Sequence, residues 1–274
     1  MMRSASRQAQ AALREHQGTV FGGQVSAATL TTLAAELYAI GNLLVSQPRL
    51  RRNLGDPATK PEGRVGLLEK LIKEQVAKQT LDIACFAVGM RWSSAWDLAD
   101  AIESAGDDAL FAAAEKDGSL SSVEDELFRF ERILQGESGL AGVLDEFTAD
   151  TARRTGLIDT LLEGKAASIT IALLHHAVAS QRKRSVGLAI DDLLEQAAAR
   201  QERSVARVIS AQPLTEQQQD RLAKALSQTY DRPISVRTAL DPTLRGGVVV
   251  RVGDEVIDGS IATRITNART LLAG

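Results

Sequence analysis

The stretch Leu240–Ser260, LDPTLRGGVVVRVGDEVIDGS, decides the fold at the C-terminal end of the chain. Val248, Val249, Val250 and Val252 are β-branched, stiff at χ1 and suited to a pleated, half-buried surface. Gly253-Asp254 separates them from a second apolar pair, Val256-Ile257, and supplies the positive φ of a tight hairpin turn. Ahead of the first strand, Gly246-Gly247 allows a sharp entry that a Cβ would resist. The spacing predicts a hairpin, ended by Asp258-Gly259-Ser260, with Asp258 or Ser260 as N-cap of a final helix, Ile261–Leu272.

Working upstream, Val205–Ala211 reads as a strand, and Pro213 opens a helix over Leu214–Tyr230 with Thr215, Glu216 and Asp220 near its start. Pro233–Leu240 alternates Ile234, Val236 and Thr238 and reads as the next strand. The order β-α-β-β-β-α predicts a small mixed sheet with helix cover.

The run Leu240, Asp241, Leu244, Gly246, Gly247, Val248, Val250, Arg251 and Gly253, continued by Asp258, Gly259 and Ser260, resembles the C-terminal signature of the ATP synthase delta subunit family. That family is the bacterial counterpart of the oligomycin sensitivity-conferring protein. Its pattern is an apolar strand, an acidic residue, Gly-Gly, then alternating apolar residues with a basic residue and glycine, and here the spacing is unbroken.

A second signal is internal. Leu33–Ala99 aligns without a gap to Val123–Ala189, an offset of 90, with about fifteen identities where average composition gives roughly four or five. Leu33, Leu37, Ile40 and Leu44 fall at helical spacing, and Val123, Leu127, Phe130 and Leu134 repeat them position for position. Glu36 matches Glu126, Arg64-Val65-Gly66-Leu67-Leu68 faces Arg154-Thr155-Gly156-Leu157-Ile158, and Val88 matches Val178. The turns Gly55–Pro57 and Asp145–Phe147 interrupt both copies at the same place, which favours two copies of one fold over two similar helix faces.

The fold expected is mainly α with a small α/β C-terminal domain: two tandem homologous helical bundles followed by a small mixed sheet with helices. The expected divisions are residues 1–106 for an extra N-terminal bundle, 107–202 for the second bundle and 203–274 for the strand-containing domain. Residues from about Asp107 onward resemble a complete delta subunit, whereas the first bundle departs from the common pattern. Ser121-Ser122 are read as the start of a helix with Glu124 and Asp125 in its first turn. Ser168–Ser180 is apolar around most of its circumference, as a central bundle helix is.

Composition bounds the rest. At 274 residues, two or three units are expected, and 4% aromatic content leaves the cores to Leu, Ile, Val and Ala. A net charge of −3 and a pI near 5.8 speak against nucleic acid. Cys85, the single cysteine, excludes an intrachain disulfide and reads as a small buried hydrophobe. No signal peptide is evident in MMRSASRQAQAALREHQ, and charges break the apolar runs short of the ~18 residues of a spanning helix, so direct membrane insertion is not expected.

Reactive motifs are scarce. Adjacent His175-His176 point ~100° apart on a helix and cannot grip one metal in the i, i+4 manner, so packing or surface roles are expected. No GxxxxGK[ST] phosphate cradle is present. Arg182-Lys183-Arg184 reads as a solvated turn or helix end, and Asp107-Asp108 and Asp191-Asp192 as helix ends or exposed faces. Trp92 and Trp96, read as i, i+4 on one helix face, suit core or inter-domain packing ahead of a partner surface. Catalytic residues, cofactors and metal ligands are accordingly none. An enzyme without a motif and a helical regulatory protein are the rival classes; the first needs a pocket of converging titratable groups, the second a basic recognition helix.

The resemblance implies a non-catalytic stator subunit of the rotary, proton-driven ATP synthase. It implies two partners, the N-terminal segments of the alpha subunits for the helical bundle and the C-terminal region of the b subunit for the strand domain. Both are helix-in-groove modes. It also implies a peripheral position at the cytoplasmic face of the bacterial plasma membrane. The expected seat of the alpha segment is a groove in the second bundle formed by Leu110 and Phe111 with Ile171, Leu174 and Val178.

Overall fold

The computed structural model describes residues 4–22, 25–146, 148–180, 185–203, 205–230, 234–241, 244, 246–252 and 255–259. Its helices are α1 (Ser4–Gly22), α2 (Ala27–Ser46), α3 (Pro48–Gly55), α4 (Pro61–Ile72), α5 (Lys78–Gly89) and α6 (Ala95–Lys116). They are followed by α7 (Leu120–Gly136), α8 (Ser138–Leu144), α9 (Thr151–Leu162), α10 (Ser168–Ala179) and α11 (Val186–Arg203). The strand region holds β1 (Val205–Ser210), α12 (Glu216–Tyr230), β2 (Ser235–Leu240), β3 (Val248–Val252) and β4 (Glu255–Asp258). The expected class, mainly α with a small mixed sheet, is the class observed.

The duplication is visible in the element bounds. Shifting α4 and α5 by 90 residues reproduces α9 and α10 at both ends, and α3 and α8 start in register. Extending the same shift upstream lays α1 on α6: Ser4, Ala5, Ala9, Ala11 and Phe21 recur as Ser94, Ala95, Ala99, Ala101 and Phe111. Thus α6 is both the last helix of the first copy and the first helix of the second. The expected division at 106/107 falls inside this one continuous helix, and the two copies lie within a single compact unit, Met1–Leu194, with Glu195–Gly274 as the other. The second division begins within α11.

Local chemistry explains the helix ends. Ser26 Oγ accepts from Thr29 N at 3.1 Å, Ser94 Oγ from Trp96 N at 3.2 Å, and Asp150 Oδ1 from Ala152 N at 3.0 Å, each an N-cap that satisfies an orphan donor. Pro48 and Pro61 open α3 and α4, where a missing N–H costs nothing. Gly118, at φ +69°, closes α6: Ser119 N reaches Ala114 O and Gly118 N reaches Glu115 O, the Schellman pattern. Helix α7 therefore starts at once, with Leu120 buried, and Ser121-Ser122 sit in its first turn and not ahead of it. The cap at Ser94 likewise starts α6 after Trp92, so Trp92 and Trp96 do not share a helix face.

Helix α2 carries a single charge, Glu36, and by length and composition is apolar enough to cross a membrane, with mean hydropathy 1.3. In the fold it is a core helix that buries Leu30, Leu33, Ala34, Leu37, Ile40, Gly41 and Leu44.

In the strand region the order is β2-β1-β3-β4. β1 and β2 run parallel, joined by α12, while β3 pairs antiparallel with β1 and with β4. Alternate positions face the core: Ala206 opposite Val252, Val208 opposite Val250 and Ser210 opposite Val248. Leu226, Leu222 and Tyr230 of α12 cover them. The turn Gly253-Asp254, Ser260 and the expected helix Ile261–Leu272 lie outside the described residues, as does Arg182-Lys183-Arg184.

Gly246 and Gly247 have φ of 128° and 82°, the left-handed side that side chains resist, immediately before β3. Gly247→Val is expected to destabilise the strand-containing unit by roughly 1–3 kcal/mol. Two-probe thermal unfolding checks this, with the Met1–Leu194 unit keeping its own transition.

Candidate functional site: the helical junction and its grooves

Each copy holds its central helix at both ends with the same pair of charges. In the first, the Glu36 carboxylate of α2 accepts from Ala77 N at 3.0 and 3.2 Å and from the Thr80 hydroxyl, capping α5 from a neighbouring helix. In the second, Glu126 accepts from Ala167 N at 2.9 Å and from Thr170 at the start of α10. A carboxylate at these helix N-termini meets exposed N–H groups and the positive end of the dipole. At the other ends, Arg64 donates to Leu54 O, Gly89 O and Met90 O, and Arg154 to Leu144 O and Val178 O. The half-buried glutamates accept from a backbone N–H and a threonine hydroxyl, and the buried arginines donate chiefly to backbone carbonyls, which suits bracing.

The copies meet at α6, which buries Leu98, Ile102, Gly106, Leu110 and Phe111 along with most of its alanines. Against it lies α2. A Cβ on Gly41 would sit 2.9 Å from Glu103 Cγ, and a Cβ on Gly106 would collide with the Tyr38 ring. Tyr38 stacks on His176 of α10 with ring centroids 3.7 Å apart and 10° between planes, and its hydroxyl donates to Asp107 Oδ1 at 2.7 Å. Glu103 accepts from Ser180 Oγ at 3.3 Å and lies 3.9 Å from His176 Nε2. The first copy has a matching stack one repeat earlier, His16 on Phe86 at 4.1 Å and 3°. Gly106 occupies the position of His16, and Tyr38 enters from α2 to fill the space that glycine leaves.

This arrangement changes the reading of several side chains. Leu110, Phe111, Leu174 and Val178 are at most 1% exposed and belong to the core; of the five residues expected to line an alpha-segment groove, only Ile171 is half-buried. They therefore offer no open seat, because Tyr38 and α2 already cover the neighbouring face. Trp92 is buried and donates Nε1–H to Ala87 O at 2.8 Å, while half-exposed Trp96 lies under the Arg51 guanidinium, 3.4 Å from the ring centroid. His175 Nε2 sits 2.8 Å from Asp159 Oδ1. Cys85 is half-buried, and burial, followed by Glu69 and Asp82, pushes its thiol up to about 11. No group of three or more metal-ligating side chains occurs among the described residues.

Two of the open concave surfaces are formed by described residues. One, of about 620 Å³, runs along Ala5, Gln8, Ala9 and Ala12 of α1 beside Met90–Ser93. The other, of about 350 Å³, lies in the second copy among Phe130, Ile133, Leu140, Leu161 and Leu162 with Arg129 and Lys165.

Three of the signature residues donate backbone hydrogen bonds within the strand region. Asp241 N donates to Ser210 O at 3.0 Å, Leu244 N to Asp241 O at 3.1 Å, and Gly259 N to Val248 O at 2.9 Å. A Cβ on Gly259 would lie 3.1 Å from that Val248 oxygen, so the glycine admits the close approach. Val250 is buried, Arg251 and Asp258 are exposed, and Leu240 is exposed at the end of β2. Gly253 lies outside the described residues.

The sequence model of the ATP synthase delta (OSCP) subunit family matches residues 108–272, from within α6 through the strand region. A Streptomyces griseus protein named ATP synthase subunit delta is 39% identical over 273 residues, covering 100% of both chains. The chain belongs to the ATP synthase delta (OSCP) subunit family. A Salinispora arenicola ATP synthase subunit delta is 40% identical over 93% of this chain and 92% of its own. A Mycobacterium sp. (strain KMS) protein named ATP synthase subunit b-delta is 40% identical over 99% of this chain, which spans 61% of that longer relative.

Burial, then the charge and hydrogen bond of Asp107, then Asp108 and Glu103, hold the Tyr38 phenol well above its usual range. Such a group contributes stability that is complete below the unfolded value near pH 10 and is lost as pH rises through the folded value. Tyr38→Phe is therefore expected to cost about 1 kcal/mol at neutral pH, from the lost hydrogen bond, and to flatten the alkaline fall in stability. Denaturant unfolding at pH 7 and above pH 10 measures both.

Proposed function

We propose that the chain is a non-catalytic stator subunit that joins the alpha/beta catalytic head of the ATP synthase to its b-subunit stalk. The observation that carries this reading is the family match over 108–272, which covers the α6–α11 bundle together with the strand region. In this reading the helical part grips N-terminal segments of the alpha subunits, and the strand region engages the C-terminal end of the b subunit. The Mycobacterium relative whose name joins b and delta supports the second link. The complex then places the chain peripherally at the cytoplasmic face of the bacterial plasma membrane.

The physical requirement is resistance to torque. Rotation of the central shaft drives the head only if the head is held, so an adaptor needs firm grooves and a stiff body and no reacting groups. Central helices clamped by charge at both ends, and a junction helix that buries most of its side chains, meet that requirement. Glu36, Glu126, Arg64 and Arg154 serve these braces, and the titratable cluster of Tyr38, His176, Glu103 and Asp107 is packed against the junction helix.

Membranes depleted of this chain are expected to lose the catalytic head on washing and to lose proton-driven ATP synthesis, while the released head keeps its ATP hydrolysis. Adding back the purified chain restores retention and synthesis together. Retention and synthesis at normal levels without the chain would overturn the reading.

A further inference from the structure

The two copies keep the apolar character of one surface and differ in its charge. In the second copy, α7, α8 and α9 contribute Phe130, Ile133, Leu140, Leu161 and Leu162 to the cavity of about 350 Å³. A shift of 90 residues turns these into Ile40, Leu43, Leu50, Leu71 and Ile72, apolar at every position. The charged residues are not repeated. Arg129 and Lys165 also line the cavity, and their counterparts in the first copy are Ala39 and Gln75. Helix α2 has no cation, whereas its counterpart α7 has two, Arg129 and Arg132.

The fold does not consume these charges. Arg129 is exposed and makes no ion pair among the described residues. Lys165 is exposed and donates to Leu161 O at 3.1 Å, which uses one of its three donors. The carboxylate in the lining, Glu126, is committed to Ala167 N and Thr170. One turn along α7 from Arg129, Ile133 is 48% exposed, so apolar surface and unmatched positive charge lie side by side.

We infer that this groove is a docking site for an acidic amphipathic helix of another protein chain. Its apolar stripe covers Ile133, Leu140, Leu161 and Leu162, and carboxylates flanking the stripe meet Arg129 and Lys165. The inference goes beyond the stator reading and draws on neither the alpha nor the b contact. Charge selects the occupant. An apolar groove alone accepts a helix of either sign, and cations present in one copy only make that copy discriminate. The chain's own residues 261–274 contain Arg264 and Arg269 and no acidic residue, so they do not complement the groove.

The test titrates the full chain, by anisotropy, with a fluorescent helical peptide carrying leucines at i, i+3, i+4 and i+7 flanked by glutamates. A second peptide has lysine in place of every glutamate. The acidic peptide is expected to bind about tenfold tighter than the basic one, with the preference falling as salt rises. Arg129→Glu combined with Lys165→Glu should reverse the preference. The milder pair, Arg129→Gln with Lys165→Gln, should abolish it with an unchanged circular-dichroism spectrum. Ile133→Asp, at an exposed position, should weaken the acidic peptide about tenfold, whereas Gln75→Glu in the first copy leaves it within about twofold. No binding of the acidic peptide at high micromolar concentration, equal binding of the two peptides, or an acidic preference that survives both paired substitutions would overturn the proposal. Self-association of the chain that the Arg129→Gln/Lys165→Gln pair abolishes, with no peptide bound, would show a second copy in the groove and would also overturn it.

Discussion

The helical half of the molecule depends on the contact between α2 and α6, where side chains are small enough for two helices to approach closely. Gly41 and Gly106 mark the closest points, and at each a Cβ would meet a side chain of the opposing helix, Glu103 or Tyr38. A glycine within a helix costs roughly 0.5–1 kcal/mol relative to alanine. Here that cost is offset by burial: Leu98, Ile102, Leu110 and Phe111 are removed from water, each worth about 1.5–3 kcal/mol. Because α6 completes one bundle and begins the next, the copies cannot part without exposing it. Tandem duplication has thus produced one body with a common spine.

Around that spine the copies keep their braces and vary their joints. Glu36 and Glu126 cap the same helix in each copy from the same position, and the residues they grip, Ala77 and Thr80, recur as Ala167 and Thr170. The corner where the last helix of each copy begins differs. In the first copy Gly55 lies so close to Ala95 that a Cβ would come within 2.7 Å of it. In the second, the corresponding residue is Asp145, whose carboxylate accepts from Val186 N at 2.7 Å. One corner is fixed by close backbone approach and the other by a charge-assisted cap, two local solutions to the same change of chain direction.

Much of this was legible in the chain. Alternating valines beside a glycine pair predict β3 and the positive-φ entry, and a 90-residue repeat predicts two bundles. The limits of the reading are physical. Periodicity shows that Leu110, Leu174 and Val178 sit on apolar faces, but a buried face and a docking groove have the same composition, and only the position of α2 separates them. The division near 106 assumed that each copy brings its own helices, whereas α6 is counted in both. The shared helix has a signal of its own: Ser4, Ala5, Ala9 and Phe21 recur at the same offset. Gly106 in an alanine-rich helix, opposite His16 in the repeat, was the other. It marks the place where a ring from another helix enters.

Sharing α6 between the two copies has a mechanical consequence for the proposed stator. With α2 and Tyr38 packed against α6 and α10, a pull on the first copy passes through α6, a single helix of 22 residues whose Leu98, Ile102, Leu110 and Phe111 are buried. Such a helix resists bending better than a linker, because displacing it disrupts both cores at once. The extra bundle can therefore lengthen the reach of the adaptor without adding a loose joint between its two copies.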